Sequence, residues 1–368
     1  MITKAELLAW LRETDDIKLE ALWRLADQTR RECVGDEVHL RGLVEFSNHC
    51  VRLCGYCGIR RDNPTISRYR MSAEEILACA RQAVRFGYGT LVLQSGEDYG
   101  ATAEWVAGLI RRIKRETTLA VTLSLGERRD PELLLWRQAG ADRYLLRFET
   151  SNTTLYDRIH PPLPGRRSDR LALLRRLREI GYEVGSGVMI GIPGQTFEDL
   201  AEDLLTFRYL DLDMIGIGPY IPHPLTPLGQ ERTDRIDDFA PPSTAAPRTS
   251  IPPAEQVPND ERTTLIAVAL TRLVCPHSNI PSTTALATID RAQGRELGLM
   301  RGANIVMPNL TPLEYRVGYE IYPGKACLEE TAEICHGCLK GRITSIGRTI
   351  GTGRGDSPAL RARAAQGR

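Results

Sequence analysis

The chain has 368 residues, 42% of them hydrophobic, with 48 basic against 47 acidic side chains and a formal net charge of +1. That length accommodates one α/β barrel of about 250 residues plus extensions, and the charge balance leaves no basic footprint for nucleic acid or an anionic membrane surface. The opening stretch is polar and amphipathic, unlike a signal peptide, and no apolar run approaches the ~18–20 residues of a membrane span, so a cytoplasmic protein with nine reduced cysteines is expected.

Residues 3–32 read as one or two helices. Val38–Phe46 reads as a strand, and a loop rich in cysteine follows it. Ser72 can cap a helix with Glu75 as its capping-box partner, and apolar residues continue at helical spacing from Ile76 to Val84. Strands and helices then alternate: strand Thr90–Leu93, helix near 102–115, strand Ala120–Leu123, helix near 131–139, strand Arg143–Phe148, helix Leu171–Ile180. Strand Val184–Ile190, helix Phe197–Leu210 and strand Met214–Ile217 follow. The last units are a helix near 261–274, strand Asn279–Ser282, a helix near 291–299 and strand Asn304–Met307. Near-continuous apolar strands joined by helices imply a parallel sheet. Eight such units predict a complete (βα)8 TIM barrel, with a doubly wound open sheet as the alternative. In a barrel, the loops at Cys50, Gln94, Ser124, Glu149 and Gly191 converge on one face. The expected division is a helical extension (1–32), the barrel (33–346) and a flexible tail (347–368). Residues 230–260 carry six prolines and read as an exposed insertion. The string Arg354-Gly355-Asp356 in the tail reads as chance.

Chemistry concentrates in Cys50-x3-Cys54-x2-Cys57. Three thiolates can hold three irons of a 4Fe–4S cube and leave the fourth open to a small molecule. A zinc knuckle would need a fourth ligand, and the adjacent His49 fits the usual spacing poorly. A second group, Cys327-x7-Cys335-x2-Cys338, has metal-binding capacity, with His336 as a conceivable substitute ligand. Cys33, Cys79 and Cys275 read as structural thiols. Ser124 follows a strand and can offer a hydrogen bond. Glu149 also follows a strand; its carboxylate could bind a ligand hydroxyl or amine, or pair with Arg147. Arg170 opens a helix, and its guanidinium matches a carboxylate bidentately. Gly191–Gly194 reads as a tight turn that lets backbone approach a ligand.

The chain resembles the radical S-adenosylmethionine (SAM) enzymes at Cys50, Cys54, Tyr56 and Cys57. Within them it resembles the HydE family of FeFe-hydrogenase maturases from about Val34 to Cys338, outside the 230–260 insertion. The strings that carry this are VEFSNHC, RRDNPTISRYRM, LQSGED, TLSLGE, RYLLRFETS, GIPGQT, GIGPYIPHPLTPL, NIPSTTALAT, GANIVMPN and YPGKAC. The resemblance implies a 4Fe–4S cluster on Cys50, Cys54 and Cys57 that binds SAM. It implies SAM contacts at Tyr56, Ser124, Glu149, Arg170 and Ile190. It places Gln94, Thr122, Arg147, Thr283, Thr284, Tyr319 and Tyr322 around a substrate cavity. It implies a second cluster, 2Fe–2S or 4Fe–4S, at Cys327, Cys335 and Cys338 in some members. The implied substrate is a cysteine-bound iron–carbonyl–cyanide complex, with the maturases HydG and HydF as companions and a flavodoxin or ferredoxin as reductant. A related mutase or sulfur-insertion enzyme (methylornithine synthase- or biotin synthase-like) and an iron–sulfur carrier are the alternatives. A carrier has no need of QSGED, Ser124, Glu149 or Arg170.

Overall fold

A computed structural model of the chain describes residues 2–233 and 252–365. The strands are β1 (Glu37–Ser47), β2 (Thr90–Ser95), β3 (Ala120–Ser124), β4 (Arg143–Leu145), β5 (Glu183–Ile190), β6 (Met214–Pro219), β7 (Ile305–Val306) and β8 (Thr349–Ile350). All pair in parallel, in the order β6-β5-β4-β3-β2-β1-β7, and β8 adds to the first residues of β1. The fold is therefore a parallel α/β half-barrel of seven strands. The expected strand Asn279–Ser282 contributes single bridges, Met214 to Asn279 and Pro281 to Ile305.

Helices α1 (Lys4–Leu11) and α2 (Asp16–Val34) form the N-terminal extension and pack on later helices of the outer layer. The outer layer comprises α3 (Ala73–Arg85), α4 (Ala103–Glu116), α5 (Asp130–Gln138), α6 (Thr153–Ile159), α7 (Arg170–Ile180) and α8 (Phe197–Tyr209). The Ser72/Glu75 capping box opens α3 as expected. Downstream lie α9 (Pro227–Thr233), α10 (Glu261–Val274), α11 (Thr284–Ile289), α12 (Gly294–Met300), α13 (Leu313–Arg316), α14 (Ala332–Ser345) and α15 (Pro358–Ala365). No helix among the described residues is long and apolar enough to cross a membrane.

Strand alternation sorts the interior into two compartments. Leu40, Val44 and Phe46 of β1 join the core between sheet and helices, with Leu91, Leu93, Val121, Leu123, Val184 and Val188 from neighbouring strands. The alternate residues Arg41, Leu43 and Glu45 face the concave side, where Arg41 Nη1 lies 2.9 Å from Met214 Sδ on β6. β4 stops at Leu145, short of the expected Phe148, because a side chain takes over the ladder. The Ser186 hydroxyl accepts from Phe148 N (3.2 Å) and donates to Leu146 O (2.7 Å).

Two expectations are corrected by packing. The tail is not a loose end: residues 353–357 are seated across the N-terminal ends of the strands. Arg41 Nη2 donates to Gly355 O (2.9 Å), Thr90 Oγ1 to Arg354 O (2.8 Å) and Asn279 Nδ2 to Gly355 O (3.1 Å). Arg143 donates to Arg354 O (3.0 Å) and pairs with Asp356. Buried guanidiniums need acceptors, and the Arg354-Gly355-Asp356 string supplies two carbonyls and a carboxylate. The approach is so close that a Cβ added at Gly89 would lie 1.6 Å from Gly353 O. Of the expected 230–260 insertion, residues 234–251 lie outside the described residues. Residues 252–260 are packed rather than loose: Gln256 accepts from Gly194 N (2.7 Å) and donates to Ile192 O (3.1 Å).

Candidate functional site

The loop after β1 carries Cys50, Cys54 and Cys57 and is clamped on every side by backbone hydrogen bonds. Val51 N donates to Glu97 O (3.0 Å), Gly55 N to Ile159 O (2.7 Å), Leu228 N to Gly55 O (3.0 Å) and Gly58 N to Ile321 O (2.9 Å). Side chains of the RRDNPTISRYRM string hold the rest. Arg68 donates to the carbonyls of Asn48 (2.5 Å), Ile59 (2.8 Å) and Arg60 (2.6 Å), and Asn63 Nδ2 to Gly58 O (2.7 Å). Arg70 grips Asp98 of QSGED with two bonds, 2.6 and 2.9 Å. Four separated segments thus fix one nine-residue loop without borrowing its thiols.

Burial pushes all three thiols upward. For Cys50 this is offset by N–H groups of Arg52 and Glu97 that face the sulfur. Cys54 rises to about 12, through burial and the neighbouring Cys50, against the pull of Arg170 and Arg52. Cys57 rises through burial and through Cys54 and Cys50. The three sulfurs are near enough to perturb one another. Yet they do not all lie within 4.8 Å, the mutual spacing of ligands to one ion, which among the described residues only another group meets. Convergent but spread thiols fit a cluster in which each thiolate takes its own iron. Metal must displace their protons, and the cations Arg52 and Arg170 favour the charged thiolates that result.

A buried polar network surrounds the loop. Arg52 lies 2.8 Å from Glu97 and 2.9 Å from Glu127, although none of its nitrogens makes a well-directed hydrogen bond. Arg170 donates to Glu127 Oε1 (3.0 Å), Arg147 O (2.6 Å) and His160 Nε2 (2.6 Å). Burial, with Arg170 and Arg52, presses the His160 imidazole down to about 2, so it is neutral. The proton order follows, because a guanidinium only donates and a carboxylate only accepts. His160 Nε2 accepts from Arg170, Nδ1 donates to Tyr156 Oη (3.1 Å), Tyr156 donates to Ser168 (2.8 Å), and Ser168 donates to Glu127 Oε1 (2.5 Å). Each of the three Arg170 nitrogens thus makes one of these bonds. Tyr56 packs on an apolar cluster of Leu155, Ile159, Met189, Ile192, Tyr220 and Leu228. Ile190 lies in the sheet–helix core, its carbonyl accepting Tyr220 N (2.8 Å).

Polar side chains gather at the strand ends. Glu45, Gln94 and Ser124 are neighbours in register. Arg147 Nε donates to both Glu149 oxygens at 3.1 Å, the ion pair weighed from the sequence. Glu149 adopts φ 64°, a left-handed conformation that costs a non-glycine residue about 1 kcal/mol and clusters at functional sites. Gln94 Nε2 lies 3.4 Å from Tyr319 Oη. The Thr122 hydroxyl is buried with no hydrogen-bond partner among the described residues. A Cβ added at Gly216 would sit in ordinary contact with Ser186 O (3.8 Å), Arg147 Nη1 and Pro281 Cγ (both 3.9 Å), which places that guanidinium beside β6. Thr283 caps α11 and Thr284 begins it. Tyr322 is half-buried near Thr288, Glu45, Arg295 and Arg147.

The distal group is rearranged relative to expectation. Cys327, Cys335 and Glu330 bring ligand atoms within 4.8 Å of one another, while Cys338 is exposed and faces Arg342. The His336 ring stacks on Phe86 (4.5 Å), and its Nδ1 lies 3.0 Å from Tyr88 Oη.

Sequence reasoning assigns no individual role to several residues of this region: Arg52, Glu97, Glu127, His160, Glu45 and Lys325. Glu45 had a visible signal, a carboxylate between Val44 and Phe46 inside an apolar strand. Lys325 pairs with it.

The sequence profile of the Radical SAM superfamily matches residues 44–207. The chain is 47% identical to the FeFe hydrogenase maturase subunit HydE of Thermotoga maritima over 90% of its own length and 87% of the relative's. It is 28% identical to a 3-methylornithine synthase of Methanosarcina acetivorans, covering 86% and 82%. Its fold is similar to the crystal structure of methylornithine synthase PylB (TM-score 0.77, 23% identity, 99% and 96% covered). It is also similar to HydG from Carboxydothermus hydrogenoformans (TM-score 0.73, 18% identity, 94% and 75% covered). A clamped three-cysteine loop at the head of a parallel half-barrel, and near-half identity along nine-tenths of the chain, place this protein in the HydE family of radical SAM FeFe-hydrogenase maturases.

Proposed function

We propose that Cys50, Cys54 and Cys57 ligate the 4Fe–4S cluster used by this superfamily, and that the cavity behind them holds a cysteine-bound iron–carbonyl–cyanide complex. The observation that carries this is the convergence of three half-buried thiols, flanked by Arg52 and Arg170, towards the strand ends that bear Gln94 and Ser124. When bound, the cluster supplies the electron that cleaves SAM to a 5′-deoxyadenosyl radical. Tyr56 offers an aromatic face beside Met189 and Ile192 for the adenine, and Ile190 backs that wall. Ser124 and Glu149 offer hydrogen-bonding oxygens, and Arg170 supplies positive charge held by Glu127. Thr122, Gln94, Thr283, Thr284, Tyr319 and Tyr322 supply polar groups to the substrate, and Arg147 supplies charge for its anionic ligands. We also propose that the single bridges of Asn279 and Pro281 close the half-barrel into a complete (βα)8 barrel over residues 33–346, excluding water from the radical. Cytoplasmic action with HydG, HydF and a flavodoxin or ferredoxin belongs to the same reading, as does a second cluster at Cys327, Cys335 and Cys338.

The test is anaerobic reconstitution, dithionite reduction and assay of 5′-deoxyadenosine, then addition of the iron–cysteine complex. Cluster-loaded protein that leaves SAM intact would refute the enzyme reading. SAM cleavage without an adenosylated product would point to another substrate. The double variant Cys335→Ala/Cys338→Ala should retain SAM cleavage within about threefold, because the distal group takes no part in clamping the first loop; a loss of about tenfold or more would make it part of the radical machinery.

A further inference from the structure

Glu45 is fully buried at the concave end of β1, and its only cationic ion-pair partner among the described residues is Lys325, itself 5% exposed. Glu45 Oε2 accepts Asn309 Nδ2 (2.9 Å), and Glu45 N donates to Thr311 Oγ1 (2.8 Å). Arg316 is committed elsewhere, donating to the carbonyls of Thr311 (2.6 Å), Asn309 (2.8 Å) and Cys327 (3.1 Å). Lys325 also lies 5.4 Å from the centroid of the Tyr319 ring, and the Glu45 charge is felt at Tyr319 and Tyr322. The wall therefore carries two ion pairs, Glu45–Lys325 and Arg147–Glu149, and their charges cancel.

We propose that Lys325 is a positioning residue that sets the sign of the cavity: by neutralising Glu45 it lets an anionic ligand sit against Arg147, without touching that ligand itself. This deepens the reading above, in which the substrate carries cyanide and carboxylate groups. Removing the ammonium would leave a buried carboxylate facing an anion. At an effective dielectric of about 20, a unit charge several ångströms away changes an equilibrium by roughly tenfold or more.

The variants are Lys325→Met, Glu45→Gln and the double variant, made in the reconstituted, SAM-bound holoenzyme. Two readouts are used: KM and kcat for the iron–cysteine complex, and azide titration followed by the shift of its infrared stretch. Azide reports the cavity's charge whether or not the organometallic complex is the true substrate. Lys325→Met should raise KM and weaken azide binding about tenfold while kcat changes less than about threefold. The double variant should restore both to within about threefold of wild type, and Glu45→Gln alone should tighten azide. A double variant as weak as Lys325→Met would overturn the proposal, because it would mean that Lys325 contacts the ligand or merely braces its segment. An unchanged azide affinity in Glu45→Gln, or no shifted azide band in wild type, would overturn it equally. If Lys325→Met does not fold, the Glu45→Gln result decides alone. Failure of the complex to react while azide follows the predicted order would count against the proposed substrate and for the charge-setting role.

Discussion

Gly58→Ala is expected to lose its cluster although all three cysteines remain. A Cβ at Gly58 would stand 2.2 Å from Glu320 O and 2.6 Å from His223 Nε2. Neither neighbour can yield easily. Gly58 N is bonded to Ile321 O at 2.9 Å, its carbonyl accepts Asn63 Nδ2 at 2.7 Å, and His223 is buried against the next segment. The strain passes one residue back to Cys57, whose sulfur must then leave its place relative to Cys50 and Cys54. Misplacement of a reacting group by about 1 Å costs on the order of 100-fold in rate, so 5′-deoxyadenosine formation should fall by about that factor. Iron and sulfide content, with the electron-spin spectrum of the reduced protein, should fall in parallel. Full iron loading with wild-type SAM cleavage would show that the loop yields more freely than its bonds imply.

The second large effect is expected far from the thiols. Arg143→Met removes a guanidinium that donates to Glu183 Oε2 (2.6 Å), Thr90 Oγ1 (2.8 Å) and Arg354 O (3.0 Å) and also pairs with Asp356. Glu183 would be left buried without this cation, and the part-exposed Asp356 would keep only Arg354. Breaking a buried pair by removing one partner costs about 3–5 kcal/mol, which for a chain of this size lowers the melting temperature by roughly 4–6 °C. The tail should also become cleavable by trypsin at Arg354, which the wild type protects through its bonds to Thr90, Arg143 and Asp142. A melting temperature within about 2 °C of wild type and an uncut tail would mean the arginine is dispensable to the floor.

Local rules made much of this molecule legible before any coordinates. Cysteine spacing, the Ser72 cap and the strand–helix alternation depend on residues a few positions apart, and the structure keeps each of them. What escaped depends on partners distant in sequence. Glu45 meets Lys325 across 280 positions, and Arg143 meets Asp356 across 213. A tail poor in apolar residues reads as mobile because composition registers hydrophobic burial. It cannot register arginines elsewhere that need acceptors. β4 ends early for a similar reason, since the Ser186 hydroxyl on the neighbouring strand intercepts its ladder. Arg170 was picked out as a cation at a helix start, but the acceptors that occupy it come from Glu127, Arg147 and His160.

The seated tail also fixes an order of events during synthesis. Arg41 finds its acceptor at Gly355, 314 positions later. A chain made at about 5–20 residues per second exposes β1 for many seconds before that acceptor exists. Until then Arg41 and Arg143 must stay hydrated, and the underside of the sheet remains open to water. Contacts of such long sequence separation form late and slow folding. Residues 353–357 are therefore the ones that complete the environment of the first strand.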